Sequence, residues 1–373
     1  MKRVIGFVKA QPVLIIAFLA AVISMFFIPP DKEYLGYINY DTIILLFCLM
    51  VTVAGFRKIG VFERITAALL KKAGNTRRLG LIFTLCCFFF SMAVTNDVAL
   101  ITFVPLTLAA FSGMEDEKSK ILTVVIETAA ANLGSMATPI GNPQNLYIYT
   151  FYEMSLGNFF LTTLPFVLLS LIICCLLVLL IPKNGFKAEG LEKEKKDISK
   201  PKTAVYLLML VLCLLTVFRV VPLLPCFGAV TIAAVISDRS LFKKVDYALL
   251  GTFACFFVFL GNIARVEAIS NFVSGILPGR ELYVCAVLSQ AVSNMPAAVM
   301  LSAFTDNAKG LLLGSDIGGM GTIIASMASL ISFQFYRKSE GADSKKYMGI
   351  FSAIGFAMLI LLLLFAFIIG ANG

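Results

Sequence analysis

Long apolar runs, separated by short polar breaks, make up most of the chain. A helix that crosses a membrane needs about 20 largely apolar residues, and most of the runs reach or exceed this length. The pattern therefore predicts an all-α, polytopic membrane protein. The runs fall near 13–28, 40–56, 79–111, 119–151, 159–181, 203–221, 223–237, 246–262, 281–304, 309–336 and 347–370.

Two of these runs carry polar residues at their middle and predict re-entrant hairpins. They are 79–111 and 281–304. Non-helical backbone at membrane depth is tolerated only where it is buried in protein or lines a wet cavity. Each run is therefore expected to enter the membrane, turn at its polar tip and return to the same side. The tip residues are Thr95, Asn96 and Asp97 in the first run and Ser293, Asn294, Met295 and Pro296 in the second.

Two further runs are predicted to be helices that break near the middle of the membrane. Run 119–151 has two prolines and a glycine between positions 139 and 143, and proline removes a backbone donor and interrupts a helix. Run 309–336 has glycines at its middle instead. Segments 132–138 and 316–322 align without a gap, and three of their seven positions are identical.

The broken runs belong to a longer repeat. Each half of the chain has an apolar span, a charged amphipathic piece, a predicted hairpin and a predicted broken helix, in that order. Counting membrane crossings puts the second half in the opposite orientation to the first. We therefore predict two inverted repeats, at 1–182 and 203–373, joined by a cytoplasmic linker at 183–202. Inverted repeats whose broken helices meet near the midplane are typical of secondary transporters.

The charge distribution sets the predicted orientation. The formal net charge is +9, and cytoplasmic loops collect Lys and Arg. With the N-terminus inside and both hairpins returning to their side of entry, the chain makes nine full spans and its C-terminus lies outside. We predict a multi-pass protein of the cytoplasmic (inner) membrane, embedded in the lipid bilayer. This threading puts 26 of the 31 Lys and Arg residues inside and leaves outside Lys32, Arg219, Arg265, Arg280 and Lys309.

Composition excludes several classes of protein. Hydrophobic residues make up 59% of the chain and charged residues only 14%, whereas soluble domains are about a quarter charged. A soluble enzyme and a nucleic-acid-binding module are therefore excluded. Histidine is absent, and the sequence has no phosphate-binding loop, zinc-protease motif or nucleophile elbow. We expect no enzymatic activity and no cofactor other than a coupling ion.

The tips and the breaks supply groups that bind ions of either sign. Helix N-termini present free N–H groups and the positive end of the helix dipole, which attract anions. Carbonyl and side-chain oxygens suit a hard cation. The same side chains would also cap the second arm of each hairpin. The candidate substrate-binding residues are Thr95, Asn96, Asp97, Pro139, Asn142, Ser293, Asn294, Gly321 and Thr322.

Three acids lie deep in apolar sequence, namely Asp97, Glu127 and Asp316. A carboxylate inside a membrane is costly and marks a functional site by default. Each of the three is therefore a candidate for coupling to protons. For Glu127 the alternative is a structural ion pair or a group that faces a cavity.

The tips and breaks resemble those of the ion transporter superfamily, which includes divalent-anion/sodium symporters, citrate transporters, arsenite permeases and the melanosomal P protein. Segments 95–97 and 293–294 are similar to its Ser-Asn-Thr tips. Segment 138–145 is similar to its Thr-Pro-Ile-Gly-Thr-Pro-Pro-Asn break, and segment 318–326 to the glycine-rich break of the arsenite and P-protein branch. The chain also resembles the bacterial inner-membrane permeases that are grouped with the citrate-transporter-like domain.

The resemblance implies an elevator mechanism in a homodimer, with the substrate bound between the two tips. It also implies two sites for a cation such as sodium, one at each pair of tip and break. The residues implied in cation binding are Ser91, Thr95, Asn96, Asn132, Gly134, Thr138, Gly141, Ser293, Asn294, Asp316 and Gly318.

Two departures from the family pattern affect the expected substrate. Met295 stands where a hydroxyl would close a carboxylate site, and Asp97 places a negative charge at the first tip, which would repel a carboxylate. The leading prediction is a secondary transporter of a small carboxylate or inorganic oxyanion, coupled to sodium or protons. Sodium/proton antiport, passive conduction and arsenite-type efflux with a separate ATPase subunit stay open as alternatives.

Overall fold

The computed structural model describes residues 11–70, 73–114, 116–185 and 199–371. This part of the chain folds into helices and contains no β-sheet. The middle of the predicted linker 183–202 lies outside the described residues.

The helices of the first half are α1 (Pro12–Ser24), α2 (Tyr34–Tyr37), α3 (Tyr40–Lys58), α4 (Val61–Leu70), α5 (Thr76–Val94), α6 (Asn96–Ala110), α7 (Glu117–Gly134), α8 (Pro143–Phe151) and α9 (Leu156–Leu177). Those of the second half are α10 (Lys200–Val217), α11 (Leu223–Asp238), α12 (Tyr247–Ala264), α13 (Glu267–Ile276), α14 (Glu281–Val292), α15 (Asn294–Ser302), α16 (Ala308–Gly318), α17 (Met327–Arg337) and α18 (Ser344–Ile368).

Seven helices in the described residues are long and apolar enough to cross a membrane, namely α3, α5, α9, α10, α11, α12 and α18. An eighth span results if α13 and α14, which meet at a bend of 117°, are counted together. The described residues are therefore helical with several apolar helices, as expected of a multi-pass membrane protein. The total of nine spans and two re-entrant hairpins stays a prediction.

Helices α5 and α6 form a helical hairpin that turns at Thr95. Cys87 on one arm and Thr107 on the other both contact Oε2 of Glu127, at 3.8 Å and 2.8 Å. About 20 residues of continuous helix would put these two side chains about 30 Å apart. The chain therefore reverses direction between them, as the polar interruption of run 79–111 predicts.

Helices α14 and α15 form a second hairpin that turns at Ser293. Glu281, at the start of α14, accepts hydrogen bonds from Thr305 Oγ1 (3.0 Å) and Asn307 Nδ2 (3.1 Å), which follow the end of α15. The two ends of the hairpin are therefore adjacent. The run predicted as 281–304 begins and ends close to these residues.

The other two polar interruptions separate helices that do not continue into each other. Helix α7 ends at Gly134, a short 3₁₀ turn follows at Ser135–Ala137, and α8 restarts at Pro143. Proline at the first position of a helix is favourable because it lacks an N–H and its φ angle suits the helix. Helix α16 ends at Gly318, and α17 restarts at Met327. These gaps, at 135–142 and 319–326, are called the first and the second break below.

Candidate functional site

The first hairpin tip is hydrogen-bonded to the first break. Asn96, the first residue of α6, donates its backbone N–H to the carbonyl of Gly141 at 3.0 Å. Thr138 Oγ1 donates to the carbonyl of Met92 at 2.5 Å. Thr95, between the two hairpin arms, has φ 77° and ψ 151°. The tip is therefore held against the break by backbone groups that neither helix could satisfy alone.

The second tip is held against the second break by the same kinds of contact. Asn294 donates its backbone N–H to the carbonyl of Ala325 at 2.9 Å. Thr322 Oγ1 donates to the carbonyl of Gln290 at 3.0 Å. Ser293 has φ 77° and ψ 152°, nearly the values found at the first tip. The second tip thus repeats the backbone geometry of the first.

Small residues let the hairpins approach the broken helices closely. A Cβ atom added to Gly134 would lie 2.8 Å from Ser91 Oγ, and one added to Gly318 would lie 2.7 Å from Ser289 Oγ. Ser91 Oγ donates to the carbonyl of Phe88 at 2.9 Å. Two of the residues implied in cation binding, Ser91 and Gly134, are therefore in direct contact.

Asn132 is the centre of a buried polar cluster. Its Oδ1 accepts hydrogen bonds from Asn96 Nδ2 and from Ser326 Oγ, both at 3.0 Å. Its Nδ2 donates to Ser329 Oγ at 3.1 Å. The side chain therefore joins the first tip to the second break. Asn96 and Asn132, predicted from sequence as site residues, are brought together.

Asp316 is the centre of a second buried cluster, and its exposed fraction is 2%. Its Oδ1 accepts a hydrogen bond from Asn142 Nδ2 at 3.0 Å. When the Asn145 amide is oriented to satisfy its neighbours, its nitrogen donates to both carboxylate oxygens, at 2.9 Å and 3.1 Å. Within the residues that the structure describes, Asp316 has no ion-pair partner. The carboxylate is thus held by neutral amides from the last residue of the first break, Asn142, and from α8, Asn145.

The two clusters match each other position by position. In the alignment of the two halves Asn132 stands opposite Asp316. In the first half, Asn142 and Asn145 form hydrogen bonds to Asp316. Ser326 and Ser329 stand at the aligned positions of the second half, and both form hydrogen bonds to Asn132. Each broken helix therefore uses equivalent positions to bind the other half of the molecule.

Asp97 lies outside both clusters. It lines a cavity of about 110 Å³ together with Thr95 and with residues of α3, α8 and the start of α12. No hydrogen bond or ion pair reaches its carboxylate from the described part of the chain. The first tip therefore presents two different surfaces, since Asn96 faces the buried clusters and Asp97 faces the cavity.

Glu127 lies apart from the tips and breaks. It is fully buried, its Oε2 accepts the Thr107 hydroxyl at 2.8 Å, and its Oε1 has no hydrogen-bond partner. No ion pair to Glu127 is found in the described residues. The three acids grouped by sequence therefore occupy three separate environments.

The remaining predicted residues lie within the breaks. Pro139 is part of the turn that precedes Gly141. Gly321 has φ 106°, which favours glycine, and Gln290 Nε2 donates to the carbonyl of Gly318 at 2.9 Å. The backbone N–H of Thr322 donates to Gln290 Oε1 at 2.9 Å.

Four residues of these clusters were missed as site residues from sequence. Gln290 bridges the second tip and break through its amide. Asn145, Ser326 and Ser329 complete the two central clusters. For the two serines the available signal was their alignment with Asn142 and Asn145 in the first half.

Several known proteins are similar to this chain. The family model described as Citrate transporter matches residues 5–310. An uncharacterized transporter of Methanocaldococcus jannaschii is 32% identical over 308 residues, which cover 81% of this chain and 82% of that protein. The inner membrane protein YbiR of Escherichia coli is 28% identical over 319 residues, which cover 83% of each chain. The transporter arsB of Dictyostelium discoideum is 29% identical over 168 residues, which cover 45% of this chain and 30% of that protein.

Proposed function

Because this chain belongs to the citrate transporter family, we propose that it is a secondary active transporter that carries a small anion across the cytoplasmic membrane. In this proposal a sodium ion or a proton is the coupling ion. The matching family is one of transporters, and the Methanocaldococcus jannaschii relative is also named a transporter. The resemblance to the ion transporter superfamily agrees with this function.

The observation that carries the proposal is the matched pair of buried clusters at the two tips and breaks. Asn132 joins the first tip to the second break, and Asp316 joins the second broken helix to the first break. Polar groups are expensive inside a membrane, and those that are found there mark a functional site by default. The matched contacts support two inverted repeats, at 1–182 and 203–373. They also support an elevator-type motion in which tips and breaks move as one body.

We place the coupling cation at Asp316. Its carboxylate is surrounded by neutral amides and has no cation beside it in the described residues. An uncompensated charge at this depth is costly, and a bound sodium ion or proton would remove the cost. Asn132, at the aligned position, is neutral and has no such need.

The first test of the proposal removes one tip amide at a time. We expect Asn96→Ala and Asn294→Ala each to abolish ion-dependent anion uptake into proteoliposomes, because each amide belongs to a tip. The matched control is Asn158→Ala, which lies exposed at the start of α9. Melting temperatures of the purified variants would show that the fold persists. Full uptake by both tip variants would refute the proposal.

A ligand panel identifies the coupling ion and the substrate class. The melting temperature is measured with citrate, succinate, sulfate and arsenite, each with and without sodium. A ligand at about 100 times its dissociation constant should add about 2.7 kcal/mol of stability. A shift caused by an anion only when sodium is present would support sodium-coupled transport.

Sodium/proton antiport is the second candidate, and the Asp316 cluster favours it because that site needs only a cation. We expect Asp316→Asn to abolish the sodium-induced shift in melting temperature under either function. A shift with sodium alone, and no response to any anion, would favour antiport over anion transport.

A further inference from the structure

The side chain of Gln290 fills the space between the second tip and the second break. Its Nε2 lies 2.9 Å from the carbonyl oxygen of Gly318, 3.0 Å from that of Met320 and 3.0 Å from that of Ala286. Its Oε1 accepts the backbone N–H of Thr322 at 2.9 Å. Because that N–H can only donate, the amide nitrogen is the atom that faces the three carbonyls.

Three carbonyl oxygens that converge on one point form the kind of site that a hard cation occupies. At the second tip this point is taken by a nitrogen of the protein itself. The amide group carries two hydrogens, and the three carbonyls share them. A cation could bind these oxygens only by displacing the side chain of Gln290.

The equivalent residue of the first tip is Met92, whose side chain cannot donate a hydrogen bond. In the alignment of the two tips Met92 stands opposite Gln290. Thr138 Oγ1 donates to the backbone carbonyl of Met92 at 2.5 Å. Thr322 Oγ1 donates to the backbone carbonyl of Gln290 at 3.0 Å. The two backbones are therefore equivalent, whereas a thioether has no hydrogen to donate.

The carbonyls of the first broken helix accordingly have no such donor. Gly134 and Met136 are aligned with Gly318 and Met320. Within the part of the chain that the structure describes, no side chain donates a hydrogen bond to the carbonyl of Gly134 or of Met136; the nearby hydroxyl of Ser91 donates to another carbonyl. The amide bridge is therefore a property of the second tip and not of the repeat.

The glycine at position 321 makes room for the bridging amide. Gly321 has φ 106°, and a Cβ atom added to it would lie 2.4 Å from Gln290 Oε1. Its counterpart in the first break is Ala137. The second half thus combines glutamine with glycine, and the first half combines methionine with alanine. Two positions that are distant in sequence differ together, which indicates that the bridge is a built feature of the second break.

We propose that the amide of Gln290 replaces the second of the two cations that the family resemblance implies. The second tip is then held to its break by the protein alone, and Ser293, Asn294 and Gly318 bind no ion. The amide is neutral, so it satisfies the carbonyls without the positive charge that a cation would bring to the tip.

The coupling cation at Asp316 does not compete for this position. Its carboxylate is held by Asn142 and Asn145, and no hydrogen bond joins it to Gln290 in the described residues. Of the residues implied at the second site, Asp316 alone then binds a cation. The inference rests on the proposed function for its consequence, which is a transporter with one coupling cation fewer in each cycle than the resemblance implies.

The first test uses Asn294→Ala, which would remove a ligand if a second cation did bind. Melting temperatures are measured in sodium chloride and in choline chloride at equal ionic strength. We expect the sodium-induced shift of Asn294→Ala to equal that of the unaltered chain, whereas Asp316→Asn loses the shift. A shift that Asn294→Ala also loses would overturn the inference.

The second test converts the position of the amide into a cation site. Gln290→Glu keeps the oxygen that accepts the Thr322 N–H, but it exchanges the donating nitrogen for an oxygen that repels the three carbonyls. The measurement is made at about pH 8, where a glutamate is normally ionised. In choline we expect this variant to melt below the unaltered chain. Sodium should then raise its melting temperature by about 4 °C, even in an Asp316→Asn background. The matched control is Gln334→Glu, an exposed glutamine on α17, which should show neither change.

Gln290→Met is the variant without added charge, because it copies the residue of the first tip. It should lose stability in choline and regain part of it in sodium, since the freed carbonyls can then bind the ion. This variant decides the matter if Gln290→Glu does not fold. Equal melting temperatures in sodium and in choline for every Gln290 variant that folds, in the Asp316→Asn background, would overturn the inference.

The melting experiments and the transport experiments fail independently. If the unaltered chain takes up no anion under any gradient, the proposed function is refuted, and the sodium responses of the Gln290 variants still decide what the amide replaces. If Asn294→Ala loses the sodium-induced shift while the unaltered chain transports an anion, the inference is overturned and the proposed function stands.

Discussion

Two glycines determine how closely the tips approach the broken helices. A Cβ added to Gly134 would lie 2.2 Å from the carbonyl oxygen of Phe88. One added to Gly318 would lie 2.8 Å from the Cα of Ala286. Both contacts involve backbone atoms, so a larger residue would push the broken helix away from the hairpin arm packed against it.

We therefore expect Gly134→Ala and Gly318→Ala to lower the melting temperature and to abolish transport. Overpacking of this kind costs about 1–3 kcal/mol. The matched control is Gly349→Ala on α18, where an added Cβ meets nothing within 4 Å. Alanine favours a helix by up to about 1 kcal/mol over glycine, so the control should hold its stability or gain. Equal melting temperatures for all three variants would contradict the packing argument.

Single residues were predictable where a polar group stands alone in apolar sequence. Asn96, Asn132 and Asp316 stood out in this way, and all three belong to the buried clusters. Ser326 and Ser329 did not, because small hydroxyl residues also occur in membrane helices simply for close packing. Sequence position also cannot tell which face of a helix a residue occupies, so the isolation of Glu127 required the structure.

Both hairpins store backbone strain at their turns. Thr95 and Ser293 have φ 77° with ψ near 150°, a region that side chains other than glycine rarely adopt. Such residues cost about 1–3 kcal/mol each and tend to cluster at functional sites. A hydroxyl residue at this position suggests that its oxygen is needed there.

A pair of substitutions at Ser293 separates strain from function. Ser293→Ala and Ser293→Gly both remove the hydroxyl, which donates to the carbonyl of Ala325 at 3.3 Å, but only glycine relieves the strain. We expect the glycine variant to be more stable than the alanine variant by about 1 kcal/mol or more. Both should transport poorly. A thermal melt in which alanine equals glycine would show that the turn is unstrained.

The positions of the helix breaks followed from the sequence, whereas the count of membrane spans did not. Prolines and glycines mark the first break, and glycines mark the second, at positions where α7 and α16 end. An apolar run does not show how much of it forms one continuous helix. Run 13–28, for example, is one of the nine predicted spans, but its helix α1 (Pro12–Ser24) is shorter than the seven helices that are long enough to cross a membrane.

At the scale of the whole molecule, the orientation in the membrane can be tested directly. We expect Lys193→Cys, in the predicted cytoplasmic linker 183–202, to be shielded from an impermeant thiol reagent in intact cells. Lys32→Cys, in the exposed segment after α1, should react. The positive-inside bias is the physical reason for this orientation. Labelling of Lys193→Cys but not of Lys32→Cys would reverse the proposed threading.

The exchange of Asn132 for Asp316 at aligned positions has a consequence for direction. In the proposed inverted repeats an approximate two-fold axis in the membrane plane relates the two halves, yet one centre carries a carboxylate and the other an amide. A substrate that enters from one face of the membrane therefore reaches the carboxylate before the amide, and one that enters from the other face reaches the amide first. The two faces of an otherwise repeated structure thus differ through a single side-chain atom, which is oxygen in Asp316 and nitrogen in Asn132.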